Sequence, residues 1–221
     1  MNLDGICQYR IHPSILRKGL AIVLSCLLAW SPVTANASQS PFVTTKQARH
    51  GDLSAFTKWT RLMPRYNIAK AEAAACKGDE CDDKKWNAML EEAKKKGPLE
   101  RLDVVNRFFN EVTFVDDRVN YGQEDYWATP YELMKRGGDC EDYSIAKYIS
   151  LKRLGVPESA MRIVILQDNN LGGIMHAVLH VRVSGKNYIL DNQSSSVTAE
   201  EDIFHYRPIY AINRSAWWTY Q

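Results

Sequence analysis

Residues 137–143 read Gly-Gly-Asp-Cys-Glu-Asp-Tyr and set one cysteine, Cys140, among three carboxylates. A free thiol titrates near pH ~8.5 and ionises less readily beside anions. Either Cys140 is inert, or the fold supplies it with positive charge. The same stretch is a helix start. The paired glycines end what precedes them, and Asp139 is a good N-cap whose side chain can bond the amides of Glu141 or Asp142. Gly155-Val156-Pro157 closes the segment. Cys140 then stands in a first helical turn, where free amides and the helix dipole partly offset the acids.

Working outward, Thr129-Pro130-Tyr131-Glu132 has the pattern of a capping box with proline at the first helical position, which predicts a short helix stopped by Gly137-Gly138. Leu102, Val105, Phe109 and Val112 recur at three- and four-residue spacing and predict an amphipathic helix over 99–112. The Ala-rich run 66–76 and the run 86–96 predict two more helices. Lys94, Lys95 and Lys96 at the end of the second read as a solvated helix terminus. The stretch 114–127 is a loop. After Pro157 the period changes: 161–167, 176–183 and 187–191 are strand-like, separated by Asn, Asp, Ser and Gly. Residues 206–213 predict a last strand, with Pro208 suggesting an edge. A helical N-terminal half packed on a mostly antiparallel β-sheet is an α+β pattern.

At the N-terminus, Arg10, Arg17 and Lys18 precede an apolar run over 19–30, and Ala35-Asn36-Ala37 follows. That order predicts a secretory signal peptide over 1–37, with 38–221 as a single domain. The apolar run falls short of the roughly 20 residues of a membrane span, so no membrane insertion is expected after cleavage. Loss of Arg10, Arg17, Lys18 and Asp4 takes the chain from 28 basic and 26 acidic residues to 25 of each. A balanced charge argues against nucleic acid as a partner. Of the cysteines beyond the signal, Cys76 and Cys81 are close enough to close a small disulfide loop in an oxidising compartment, which leaves Cys140 as the odd one.

A cysteine at a helix start, a histidine opening a strand and a carboxylate ending the next strand follow the order of papain-like cysteine catalysis. Cys140 would attack a carbonyl, His176 would hold its proton and Asp191 would orient the imidazole. An imidazolium beside the sulfur would also favour the thiolate. Hairpin counting complicates the choice of histidine. A strict two-residue turn at Gly185-Lys186 sets Ser184 opposite Asn187 and Asp191 opposite His180, leaving His176 four residues, or roughly 13 Å, away. A bulge or a longer turn would bring His176 and Asp191 together. Asn192 is a second candidate orienter.

The motifs GGDCEDY, HAVLHV and NYILDN, with the lead-in WATPYE over 127–132, resemble the bacterial transglutaminase-like cysteine proteinases from about Leu99 to Asp202. The resemblance implies a papain-like or transglutaminase-like fold, with 38–98 as a helical lead-in and 99–221 as the catalytic core. It implies Cys140, His176 and Asp191 as the triad, and leaves His180 as a core or supporting histidine. It also implies calcium bound by Asp139 and Glu141; Asp116, Asp117 and Asn120 form a nearby loop able to complete the shell. It implies a periplasmic endopeptidase that cuts the N-terminal region of a large surface adhesin and so disperses biofilm. It implies control by the periplasmic domain of an inner-membrane cyclic-di-GMP receptor. Two other readings of the same residues are a cell-wall amidase or peptide hydrolase on a related fold, and a non-catalytic calcium-dependent binding module.

Overall fold

The computed structural model describes residues 40–76 and 82–221, so the expected signal peptide lies outside the described residues. The elements run α1 (Pro41–Thr44), β1 (Gln47–His50), α2 (Thr57–Ala75), α3 (Asp82–Lys94), α4 (Pro98–Asn110), α5 (Asp117–Asn120), α6 (Pro130–Arg136), α7 (Cys140–Arg153), β2 (Met161–Asp168), β3 (Ile174–Val183), β4 (Lys186–Leu190), β5 (Thr198–Ala199), β6 (Tyr206–Ile212) and β7 (Trp217–Tyr220). The strands form one antiparallel sheet in the order β1-β7-β6-β2-β3-β4-β5. The α+β expectation holds. Among the described residues no helix is long and apolar enough to cross a membrane.

Alternation along the central strands splits the core in two. Met161, Ile163, Ile165, Ala177, Leu179 and Val181 pack with the helices, and α7 lies buried along almost its whole length. Val164, Leu166, Val178 and Ile189 face the other way, under Phe42, Ile203 and Tyr206.

Helix α2 starts well before the expected boundary and runs through Pro64. An interior proline costs roughly 3 kcal/mol. Burial of Trp59, Leu62 and Tyr66 on one face, at roughly 1.5–3 kcal/mol for each large side chain, outweighs it. The expected edge role of Pro208 needs a similar correction, because β6 is an interior strand. Its register against β2 shifts between Ile165 and Leu166, and β7 pairs only with Tyr210–Ile212. Pro208 therefore sits beside a bulge with no β7 neighbour, where its missing N–H breaks no ladder bond.

The β3–β4 hairpin settles the register. Val183 pairs with Lys186, so the turn residues are Ser184 and Gly185, not Gly185 and Lys186. Both have positive φ, 51° and 82°, as a type I′ turn requires. Leu190 pairs with Leu179, which puts Asp191 one step on, opposite Val178. The offset from His176 is two residues, a diagonal neighbour on the same face, and no bulge is needed.

Candidate active site

The glycines that precede α7 are dictated by contact. Gly137 has φ 78°, and a Cβ there would meet the Thr113 carbonyl oxygen at 2.5 Å. A Cβ on Gly138 would lie 2.3 Å from Asp142 Oδ2. The close approach lets Val115 N–H donate to the Gly138 carbonyl at 2.9 Å, tying the segment after α4 to the helix start. Asn120 donates to the Gly137 carbonyl at 3.0 Å and ties α5 to the same point.

Cys140 opens α7 and is 1% exposed. Its Sγ accepts the backbone N–H of Ala177 at 3.2 Å, which lays the sulfur against β3 one residue beyond His176. Glu141 Oε2 lies 3.4 Å from the same sulfur. Cys76 and Cys140 are both disulfide-bonded, and Cys81, the expected partner of Cys76, is outside the described residues. Cys140 must therefore be reduced before its sulfur can act as a nucleophile.

His176 is buried, with Nε2 2.9 Å from Asp191 Oδ1. With Nε2–H donating to the carboxylate, Nδ1 is the nitrogen left for proton transfer; Gln193 Nε2 stands 3.5 Å from it. Asp191 Oδ1 also accepts Gln193 N–H at 2.9 Å, and the Tyr206 hydroxyl donates to Oδ2. Burial alone would raise Asp191. The His176 charge and these hydrogen bonds outweigh it and hold the carboxyl well below its usual range. Asn110 on α4 fixes the backbone, donating to the carbonyls of Asp191 and Ser194 at 2.8 Å each. His180 has other company, with Nε2 at 2.5 Å from Glu200 Oε2 and a ring stacked on Phe42. Asn192 makes no side-chain bond to His176, and its Oδ1 is buried without a partner.

The acids beside the cysteine behave differently. Carboxylate oxygens of Asp117, Asp139 and Asp142 lie within 4.8 Å of one another, as do those of Asp117, Asp125 and Glu141. Asp142 accepts the N–H groups of Ala128 at 2.6 Å and Asp139 at 3.3 Å. Asp139 does not cap α7 with its own side chain as expected, because its carboxylate belongs to the acid cluster and Oδ1 has no partner. Asp117 Oδ1 and Asp125 Oδ1 are likewise buried without partners. Asp125 Oδ2 pairs with Lys58 and Asp117 Oδ2 accepts the Tyr126 N–H. Asp116 instead caps α5 through the Arg118 N–H at 2.9 Å. Burial, reinforced by neighbouring carboxylates, pushes Asp117 up to about 6 and Asp139 to about 7. Glu141 and Asp142 are raised well above their usual range by complete burial and by Asp139.

The structure thus gathers Asp139, Glu141 and Asp117, adds Asp125 and Asp142, and uses the Asn120 amide on Gly137. It adds Tyr206, Gln193 and Asn110 around Asp191. Asp142 was visible in the opening motif as its third acid. Nothing local marks Tyr206 or Asn110.

The model of the bacterial transglutaminase-like cysteine proteinases matches residues 67–219. No curated protein matches in sequence. Among solved structures, calcium-bound LapG of Legionella pneumophila is 29% identical at a TM-score of 0.60, covering 70% of this chain and 87% of that one. The EGTA-treated form of the same protein gives 29% identity at 0.59, covering 71% and 86%. The fold, the cysteine–histidine–carboxylate site and the match over most of the described chain agree: the protein belongs to the bacterial transglutaminase-like cysteine proteinases.

Proposed function

We propose that this proteinase is a calcium-dependent endopeptidase of the periplasm, with Cys140, His176 and Asp191 as its triad. The observation that supports it best is the pairing of two sites on one helix start. The Cys140 sulfur touches the strand that carries His176, and the next residue, Glu141, belongs to a buried acid cluster. Reduced Cys140 attacks the peptide carbonyl carbon as thiolate, and imidazolium Nδ1 protonates the departing amine. His176 then takes a proton from water as the thioester is hydrolysed. Asp191, held by Tyr206 and Gln193, keeps the ring oriented throughout.

The cluster fits calcium. It offers carboxylate oxygens alone, three of which have no partner, and calcium takes about six to eight oxygen ligands. Asp117, Asp125, Asp139, Glu141 and Asp142 would hold it, with carbonyls or waters completing the shell. The ion would neutralise the acids that otherwise disfavour a thiolate at Cys140. That is the positive charge the GGDCEDY stretch calls for. LapG of L. pneumophila, known in calcium-bound and EGTA-treated forms, supports the same reading.

The substrate on this reading is the N-terminal region of a large surface adhesin, whose release disperses biofilm. Control would come from a LapD-like cyclic-di-GMP receptor that sequesters the enzyme. The test is incubation of the reduced mature protein with an adhesin N-terminal fragment, and separately with purified peptidoglycan. Calcium or EGTA is added to each, and Cys140→Ala is run alongside. Cleavage of the fragment that needs calcium and Cys140 is expected. Cleavage of peptidoglycan alone would make the protein a wall hydrolase, and a Cys140→Ala variant with full effect would make it a binding module.

A further inference from the structure

A polar cleft of about 330 Å³ opens on the sheet face that carries the smaller core, lined among others by Gln47, Arg162, His180, Arg182, Asn187 and Glu200. No residue of the triad or of the acid cluster lines it. Strand register explains the clustering. Arg162 on β2 is opposite His180 on β3, and Arg182, two residues on, is opposite Asn187 on β4. Alternate residues of a strand share a face, so Arg162 and Arg182 are diagonal neighbours with backbones roughly 7–8 Å apart. Long side chains can close that gap on one small ligand. The Arg162 guanidinium is held in place, its carbon 3.9 Å from the centre of the Trp218 ring and Nη1 donating to Gln47 Oε1 at 2.7 Å. Arginine only donates, so Gln47 meets it with its oxygen and keeps its NH2 group for a ligand. Among the described residues neither arginine has a carboxylate partner, and Arg182 has no hydrogen bond at all. The one acid of the cleft, Glu200, is taken by His180, with Oε2 2.5 Å from Nε2. Glu158, next to the lining residue Ser159, is paired with Lys152 and Arg214.

Two guanidiniums that line one cleft repel each other, and an anion between them relieves the repulsion. We propose that this cleft is a binding site for a phosphate group, gripped from two sides by Arg162 and Arg182, with the Gln47 and Asn187 amides as further donors. The planar guanidinium fork matches paired phosphate oxygens, and Trp218 holds one fork ready. The His180–Glu200 pair keeps the cleft's own carboxylate from closing on the arginines. Free inorganic phosphate and the headgroup phosphate of a lipid present the same oxygens, and the experiment separates these two sources. The inference stands apart from the triad and calcium readings above.

The test is equilibrium dialysis of the EGTA-treated protein against radiolabelled orthophosphate, at an ionic strength fixed with sodium chloride. EGTA keeps calcium from carrying phosphate to the acid cluster. Saturable binding of one phosphate per chain is expected. Arg182→Gln, at an exposed position, should weaken it about tenfold without lowering the melting temperature. Arg162→Lys keeps the charge but loses the fork, and should weaken binding about as much. If Arg162→Lys does not fold, Asn187→Ala takes its place beside Arg182→Gln. In a parallel arm the protein is sedimented with phosphatidylcholine vesicles, with and without phosphatidic acid. Saturable orthophosphate binding assigns the free ion. Sedimentation that needs both phosphatidic acid and the arginines, without orthophosphate binding, assigns the lipid headgroup. The proposal is overturned if neither probe binds, or if either folded variant binds as tightly as wild type.

Discussion

Asp191 and Asp139 are both buried carboxylates, 5% and 3% exposed, and their surroundings push them in opposite directions. Asp191 accepts from His176, Gln193 and Tyr206 and is held low. Asp139 has an oxygen with no donor and carboxylates for neighbours, and rises to about 7. Burial penalises both charges equally in kind; donors decide the outcome. The chain completes the first site from its own hydrogen bonds. The second is completed only by a proton or a cation.

The sharpest way to break this contrast is at the base. His176→Ala should lower adhesin cleavage by roughly 10²–10⁴-fold, the usual worth of general acid–base help. His180→Ala should keep most of the activity, because its imidazole is occupied by Glu200. Steady-state rates that rank the two in the opposite order would move the base four residues along β3.

On the acid side, Asp139→Asn and Glu141→Gln should each weaken calcium binding in calorimetry, with a roughly 10–100-fold loss of cleavage at limiting calcium. Unchanged affinity in both would reduce these acids to structural neighbours of the cysteine.

Tyr206→Phe removes one donor from Asp191 and nothing else of size. A hydrogen bond to a charged group is worth about 1.5–3 kcal/mol, so a tenfold or somewhat greater loss in kcat is expected. Full activity would mean that His176 and Gln193 suffice to hold the carboxylate.

The smallest effect is on stability. In metal-free protein Asp117 and Asp139 bind protons more tightly folded than unfolded, with folded values of about 6 and 7 against a usual 3.8. Their contribution is fully present below pH ~4 and is lost as pH rises through about 6 to 7. Even ~2 kcal/mol of it would lower the melting temperature by roughly 4–8 °C over that window in a domain of this size. Saturating calcium should flatten the dependence, and identical melting curves with calcium and EGTA across pH 4–8 would count against the ion site.

Much of this architecture is local and therefore legible in the chain. Thr129 and Glu132 form the expected capping box, Gly137-Gly138 stops α6, and Cys140 opens α7, because caps, glycine stops and first-turn positions depend on residues three or four apart. The period-two runs became β2, β3, β4 and β6 for the same reason. Strands β1 and β7 carry no such signal; each is four residues long, and they pair across most of the chain.

The sequence by itself determined which residue types could form the candidate site: a cysteine at a helix start, histidines on the following strand, and an acid at the end of the next. Only the tertiary structure decided among them. Two positive-φ residues at 184 and 185 set the hairpin register that brings Asp191 within reach of His176, and His180 was taken up by Glu200 from beyond β5. Asp125 and Asp142 joined the acid cluster, Tyr206 and Asn110 closed on Asp191, and Lys147 of α7 was fully buried. Propensity and periodicity act over a few residues, whereas a buried charge is placed by whatever the packing of distant elements leaves around it.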